Sequence, residues 1–262
     1  MIAFAVVLAI AFAGAAGWGW LRRTAGPPSS SASPVPSPAD APASAREVLR
    51  AYAATTAAQT DVVPAGRYAY VRTQSWSQDL TSTPPGTTSI EERMWWAADH
   101  SGRRIVQSPG SPPSDLSYRA GELSVVIDQP SARPEILAGQ MQAYDSSPGT
   151  RTTLRTVAEI YRWHPLGPAQ RAALLRVLAD TDGLADRGIA ADRADRHGLA
   201  ISADTTAGGV TTRDILIFDT VTARLLSYEQ ILLTEPREAD VTTPALLSYV
   251  LYLDATRVDA MR

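Results

Sequence analysis

The sequence predicts an α+β domain built on an antiparallel sheet, with one helix before the sheet and a helical insertion within it. Segments in which apolar and polar residues alternate fall into two groups along the chain. Helical patterns precede the first group and separate it from the second. Strands and helices do not alternate one by one, as they would in a parallel βαβ fold, so the order favours the α+β class.

The first 23 residues predict a transmembrane anchor or a signal segment. Residues 2–20 are apolar or small and carry no charge, and a helix of that length spans a hydrocarbon layer of about 30 Å. Small residues near Ala11 and Ala13 offer cleavage sites for a signal peptidase. Trp18 and Trp20 are typical of a membrane–water interface, which favours a retained anchor that contacts the membrane through residues 2–21.

The side of the membrane is open to two interpretations. Arg22 and Arg23 follow the apolar run, and the positive-inside rule would therefore place the domain in the cytoplasm. Alternatively, the true start lies upstream and a basic cytosolic stretch is missing. Residues 24–43 are almost wholly Pro, Ser, Ala and Gly, with Asp40 as the single charge, and such linkers behave as extended spacers. The spacer favours a single-pass cell-membrane protein whose domain, residues 44–262, is extracytoplasmic.

A first helix and three strands are predicted next. Ser44 and Glu47 form a capping box, and the helix runs to about Gln59, before a break that contains Pro64. Its inward stripe is Val48, Leu49, Tyr52 and Ala53. Alternation predicts strands at residues 67–77, 89–98 and 103–107, and a tight turn at 99–102 indicates an antiparallel meander.

The middle of the chain predicts a Pro/Gly loop, a short strand and three helices, at residues 108–117, 123–127, 134–144, 153–163 and 168–179. Pro168 occupies a favoured first helical position. In the first of these helices, four residues are expected to point inward: Ile136, Leu137, Met141 and Tyr144. The last third returns to sheet, with strands at residues 184–190, 198–203, 211–218, 224–233 and 246–254 and a turn at 219–223.

The chain resembles a family of uncharacterised actinobacterial membrane-anchored extracytoplasmic proteins. The resemblance rests on the apolar segment, the spacer, the motif at residues 66–72, a Trp-bearing second strand, and a hairpin at residues 215–226 followed by Tyr228 and Glu229. It covers most of the chain after the spacer, but its motifs are structural and imply no activity. That family usually carries a basic stretch before its anchor, which this chain lacks.

A more distant resemblance is to lipoprotein carriers and to periplasmic sigma-pathway regulators. It rests on the first helix, the aromatic meander and the hairpin that joins Phe218 and Asp219 to Arg224 and Leu225. The resemblance implies a curved, incomplete-barrel-like sheet around a helix, with an apolar concave face for acyl chains. The helical insertion at residues 153–179 departs from that pattern, and it either plugs or lines the concavity.

Neither a catalytic centre nor a metal site is predicted. His100, His164 and His197 are scattered and form no ligand spacing. Asp192 and Asp195 lie near His197, but Arg193 and Arg196 can neutralise them. No phosphate loop, dinucleotide fingerprint or nucleophile elbow occurs, so no cofactor is expected. A formal net charge of -3 provides no basic field for nucleic acid.

Aromatic residues on the first two strands are the candidate ligand groove. The candidate residues are Tyr68, Tyr70, Arg72, Trp76, Trp95 and Trp96. One interpretation is that the aromatic rings fill the core against the first helix. The other is that some of them line a groove, because Arg72 and Gln74 on the same face suit a cleft with a polar rim better than a dry core.

The sequence therefore predicts a non-catalytic, membrane-anchored binding or sensing module, for lipid, lipoprotein or an envelope partner. The alternative is a structural or protein-interaction domain with no small-molecule site. A partly open apolar cavity beside Trp76 and Trp96 would favour the first. Convergent polar groups in a cleft, which an enzyme needs, are not evident in the sequence.

Overall fold

The computed structural model describes residues 45–80, 86–235 and 241–262. The predicted anchor, the linker and the capping residue Ser44 lie outside these ranges. Within them, no helix is both long enough and apolar enough to cross a membrane. The described part confirms the predicted α+β class, with one curved antiparallel sheet that does not close into a barrel.

Four helices and nine strands follow one another in the described ranges. The helices are α1 (Ala45–Ala57), α2 (Pro134–Tyr144), α3 (Thr150–Trp163) and α4 (Pro168–Ala179). The strands before the helical insertion are β1 (Tyr68–Asp79), β2 (Gly86–Trp96), β3 (Gly102–Gln107) and β4 (Ser114–Tyr118). Those after it are β5 (Ala185–Ala191), β6 (His197–Ala207), β7 (Val210–Asp219), β8 (Leu225–Leu232) and β9 (Ala245–Val258).

Two antiparallel meanders are joined by the last strand. The order across the sheet is β4-β3-β2-β1-β9-β8-β7-β6-β5, so β9 lies between β1 and β8 and joins the two groups. Bulges interrupt the register in β9 opposite Arg72 of β1, in β8 opposite Ile217 and Phe218 of β7, and in β9 opposite Gln230 and Ile231 of β8. Because a bulge bends its strand and increases the local twist, these irregularities help to curve the sheet.

The main core lies between one face of the sheet and the helices. All four helices contribute to a single cluster, through buried residues such as Leu49, Leu137, Leu154 and Leu174. The sheet contributes Ile201, Leu216 and Phe218. Tyrosine hydroxyls at this interface find backbone partners: Tyr161 donates to the carbonyl of Ala223 (3.0 Å) and Tyr252 to that of Ala158 (2.7 Å). We call this side of the sheet the helix-covered face and the other side the open face.

Three details differ from the sequence-based expectation. Residues 123–127 form no strand: Leu123 and Val126 are buried, and Ile127 has a positive φ of 50°, which a strand cannot accommodate. The expected loop at 108–117 contains most of β4, which forms by pairing with β3 although its sequence is polar. In α2, Leu137 and Met141 are buried as expected, but Ile136 and Tyr144 are 42% and 48% exposed.

Candidate binding groove

The six candidate groove residues are divided between the two faces of the sheet. Five of them lie together on the open face: Tyr68, Tyr70, Arg72, Trp76 and Trp95. Trp95 belongs there because it pairs with Tyr70 across β1 and β2. Trp96 pairs instead with Ala69 and points to the helix-covered face.

On the open face the aromatic rings cover one another. Tyr70 and Trp95 lie 4.9 Å apart between ring centroids, and Trp76 stacks on Tyr249 at 5.9 Å with an interplanar angle of 13°. Trp95 is buried in a small cluster that also contains Val258, from the end of β9. These rings therefore do not pack against the first helix, which is a correction to that interpretation.

Arg72 is accommodated on the open face by an ion pair. Its Nη2 atom lies 2.8 Å from Glu91 Oε2, and Arg93 Nη2 lies 2.9 Å from the other carboxylate oxygen. The hydrogen bond to Arg72 is the main reason that the pKa of Glu91 lies below its usual value. A polar residue among the aromatic rings is thus explained by pairing within the face.

Trp96 forms part of the floor of a groove on the other side. Its Nε1 atom donates to the carbonyl of Trp163 (2.6 Å), which fixes the indole against the end of α3. The imidazole of His164 meets the indole edge-on at 5.2 Å between centroids, and that of His100 does so at 6.4 Å. Trp96 is 5% exposed, so only a small part of it reaches the space above it.

The groove has a volume of about 950 Å³. Three irregular segments form its walls: residues 61–65 after α1, residues 128–131 before α2, and residues 164–167 between α3 and α4, with the adjoining Pro168. Ile136 and Gln140 of α2, Gln170 of α4 and Arg257 of β9 complete the lining. Much of the surface is apolar, including Val62, which is 83% exposed, and Ile136. Of Trp76 and Trp96, the two rings beside which a cavity was predicted, Trp96 lines this groove.

One buried and two half-buried side chains tie each wall to a helix. Arg171 of α4 is fully buried; its Nη1 atom donates to the carbonyl of Leu166 (2.8 Å) and its Nη2 atom to Asp61 Oδ2 (2.8 Å). The Gln170 amide donates to the carbonyl of Pro130 (2.8 Å). The Gln140 amide accepts a hydrogen bond from the Ser131 backbone N–H and donates to the backbone carbonyl of Gln129, both at 2.9 Å. The groove is therefore preformed by a fixed set of contacts.

His164 is a neutral part of the groove floor at pH 7. Burial lowers its pKa from 6.5 to about 4, although its hydrogen bonds to backbone carbonyls and the nearby Asp128 act in the opposite direction. Its Nε2 atom donates to the carbonyl of Val126 at 2.8 Å. An uncharged, hydrogen-bonded imidazole supports the adjacent Trp96 ring and holds the irregular segment that carries Val126.

The charges around the groove are unevenly compensated. Asp61 faces the buried guanidinium of Arg171, and Asp128 lies 3.2 Å from His100 Nε2. Arg257 is exposed, and its Nη1 atom donates to the carbonyl of Gly66 (2.9 Å). In the part of the chain that the structure describes, no carboxylate forms an ion pair with Arg257.

A second cleft of about 570 Å³ lies between α2, α3 and α4. Its lining is rich in hydroxyl groups, including Thr152 and Thr156, and Asp145 and Asp180 lie at its edge. Arg155 pairs with Asp145 and Arg50 with Asp180, so both carboxylates already have partners.

Asp192, one of the acidic residues near His197, forms an ion pair with an arginine. Asp192 Oδ2 lies 2.6 Å from Arg196 Nη2, and Asp192 Oδ1 accepts the backbone N–H groups of Ala194 and Arg196. Arg193 pairs with Glu229 instead. Among the described residues, no three histidine or carboxylate side chains come together as metal ligands.

The groove-forming residues were not evident in the sequence. Residues 164–167 are predicted only as a break between helices, and Arg171 lies in a helix whose pattern suggests an ordinary surface arginine. Pro130, Gln140 and Gln170 carry no recognisable motif. The only signal was the density of prolines in the three loops, at Pro64, Pro130, Pro165 and Pro168.

No protein-family model matches the chain, and no curated protein matches its sequence. Among solved structures it is distantly similar to MucB in the Pseudomonas aeruginosa MucA/MucB complex, with 12% identity and a TM-score of 0.33, over 83% of this chain and 59% of that one. A DUF1329 family protein from Desulfovibrio piger gives 10% identity and 0.24, over 82% and 94%. A LolA-superfamily protein from Nitrosomonas europaea gives 7% and 0.18, over 81% and 94%.

These scores describe a remote likeness and identify no family. The chain spans less than two thirds of the length of the MucB chain it matches. The distant resemblance expected from the sequence is found at this level only. The resemblance to an actinobacterial membrane-anchored family stays a prediction.

Proposed function

We propose that this protein is a non-catalytic binding module whose ligand site is the groove over Trp96. The observation that carries the proposal is a preformed cleft of about 950 Å³ whose three loop walls are fixed to α2 and α4 by hydrogen bonds of buried Arg171 and of two glutamines. A cleft of this size, in which apolar surface is combined with fixed polar groups, is typical of a ligand or partner site.

The polar groups of the groove favour binding over chemistry. Asp61 is paired with Arg171, and His164 is committed to the carbonyl of Val126 and neutral at pH 7. A general acid or base needs a proton that it can exchange with substrate, and a nucleophile needs an adjacent base. The contacts of these residues are instead those of a scaffold.

The module is proposed to act outside the cytoplasm on a single-pass membrane anchor, with residues 2–21 in the membrane. Support comes from the apolar run and the proline-rich spacer in the sequence. A protease added to intact spheroplasts of the native host should cleave the spacer and release the domain. Protection of the chain until the cells are lysed would contradict this orientation.

A photo-crosslinking amino acid in place of Ile136 tests the site directly. Ile136 lies at the rim of the groove, whereas Ile189 of β5 is 61% exposed and lines neither cleft, so it is the matched control position. In the native host we expect a specific adduct from position 136 and none from position 189. Equal labelling at both positions, or none at either, would contradict the proposal.

Blocking the groove provides the second arm of the test. Gly167 has a φ of −76°, and a Cβ atom added there would meet no atom closer than 3.8 Å, so Gly167→Leu fills the groove without backbone strain. Gly139 in α2 is exposed with nothing within 4 Å of an added Cβ, and it does not line the groove. Gly167→Leu should abolish the adduct, and Gly139→Leu should preserve it.

A further inference from the structure

We infer that the groove holds an extended peptide segment of a partner protein, with an apolar side chain over Trp96 and a carboxylate against Arg257. This inference rests on the proposed function, because it specifies the ligand of the same groove. It is carried by the charge distribution around the groove and by the positions of Trp96 and Arg257 on the sheet.

Charge complementarity selects an acidic group on the ligand. The carboxylates at the groove, Asp61 and Asp128, lie beside Arg171 and His100 respectively. Arg257 has one hydrogen bond, to the carbonyl of Gly66, and within the described ranges no carboxylate pairs with it. Its remaining guanidinium donors can form the charge-assisted, bidentate contact that arginine makes with carboxylates.

The register of the sheet fixes the distance between the two anchor points. Ala69 of β1 pairs with Trp96 on one side and with Arg257 on the other, so these two residues flank Ala69 in one row across three strands. Since adjacent strands lie about 4.8 Å apart, the two backbone positions are roughly 10 Å from each other.

An extended chain of the polyproline II type matches that distance. It rises about 3.1 Å per residue with three residues per turn, so residues i and i+3 lie on the same side about 9 Å apart. An apolar residue and an Asp or Glu three positions away can thus reach Trp96 and Arg257 together. Val62 and Ile136, exposed along the rim, offer apolar surface to the residues between them.

The lining favours a peptide over an acyl chain. A lipid tail needs a continuous apolar enclosure, whereas this groove is open and interrupts its apolar surface with Ser131, Gln140 and Gln170. Apolar and charged anchors at a fixed spacing are what a peptide provides.

Selection of phage-displayed random dodecapeptides on the full-length protein in detergent micelles tests the inference. We expect enrichment of sequences with an Asp or Glu three residues from a large apolar residue. A selected peptide, made synthetically and titrated by calorimetry, should bind Arg257→Gln about tenfold more weakly, the effect of one charge-assisted contact. Arg119→Gln, at an exposed position away from the groove, should leave the affinity within about twofold of the parent.

The outcomes separate this inference from the proposed function. Peptides that lose binding to Gly167→Leu but show no acidic preference, and bind Arg257→Gln normally, would overturn the inference and leave the groove as the site. Vesicles of three parts phosphatidylcholine to one part phosphatidylglycerol are the lipid probe. If only these vesicles bind, and Gly167→Leu abolishes their binding, the inference is overturned and the groove is a lipid site. If neither probe depends on the groove, both proposals fail.

Discussion

Aromatic and charged side chains are buried in different ways on the two faces of the sheet. On the helix-covered face all four helices share one large core with strands of the second meander, and a small cluster around Trp96 lies beside it. On the open face, small separate clusters form where neighbouring strands cover one another, as Tyr70 does with Trp95 and Trp76 with Tyr249. The aromatic pattern that stands out in the sequence therefore belongs mostly to a self-covered surface. The groove arises on the opposite side, where loops between helices meet Trp96.

The largest expected contrast is between neighbouring residues of β7. Leu216 is fully buried under the helices, whereas Ile215 packs into a small cluster on the open face. Leu216→Ala should lower the free energy of unfolding by about 3–4 kcal/mol and Ile215→Ala by about 1–2 kcal/mol, because a cavity in the continuous core cannot collapse. Chemical denaturation of both variants gives the two values. Equal losses would mean that the faces are not energetically distinct.

The pH dependence of stability sharpens the contrast at the groove floor. His164 has a pKa of about 4 in the folded chain against about 6.5 when unfolded, so its neutral form stabilises the fold above pH 6.5. That contribution should be lost as the pH falls from 6.5 to 4, by up to about 3 kcal/mol. Urea denaturation at several pH values should show this slope in the parent and in His197→Gln, an exposed control. His164→Gln should flatten it, and an unchanged slope in that variant would exclude His164 as its source.

Glu91 and Glu92 are consecutive residues of β2, so they allow the two faces to be compared within a single strand. Burial opposes ionisation of Glu92, yet Arg162 and Arg104 outweigh it and lower the pKa of that carboxyl group. Glu92→Gln should cost about 2–3 kcal/mol, since it removes the buried carboxylate that pairs with two half-buried guanidinium groups. Glu91 pairs with Arg72 and Arg93 on the more solvated face, and Glu91→Gln should cost less than about 1 kcal/mol. Thermal denaturation of both variants shows which one loses more stability. A larger loss in Glu91→Gln than in Glu92→Gln would be inconsistent with the burial of Glu92.

The smallest effect concerns α2, which supports one wall of the groove. Gly139 lies in the middle of this helix, exposed, with open space around an added Cβ. Gly139→Ala should raise the free energy of unfolding by about 0.5–1 kcal/mol, because alanine loses less backbone entropy in a helix. Its apparent melting temperature should rise slightly. A decrease would indicate that α2 needs the flexibility of glycine at this position.

Periodicity predicted the regular elements well because it reports local geometry. Alternation predicted β1, and a proline at the first helical position helped to predict α4 at Pro168–Ala179. It failed where pairing or backbone geometry overrides composition: β4 is a polar strand held by β3, and Ile127 with its positive φ breaks the apolar run that suggested a strand.

The candidate site was harder to predict than the fold. Alternation grouped the open-face residues of β1, but the candidate groove included both Trp95 and Trp96, although consecutive strand residues point to opposite faces. The groove is assembled from loops separated by many residues, and it depends on hydrogen bonds between the side chains of Gln140, Gln170 and Arg171 and backbone groups. Side-chain contacts to irregular backbone leave no periodic trace, so no single-sequence pattern could indicate them.

Crosslinking from the two faces in the native host tests most directly whether the groove, and not the aromatic open face, is the binding surface. The photoreactive residue would replace Ile136 in the groove or Tyr249 beside Trp76 on the open face. We predict a specific adduct from position 136 that disappears in Gly167→Leu, and no specific adduct from position 249. A specific adduct from position 249 with none from position 136 would contradict the assignment.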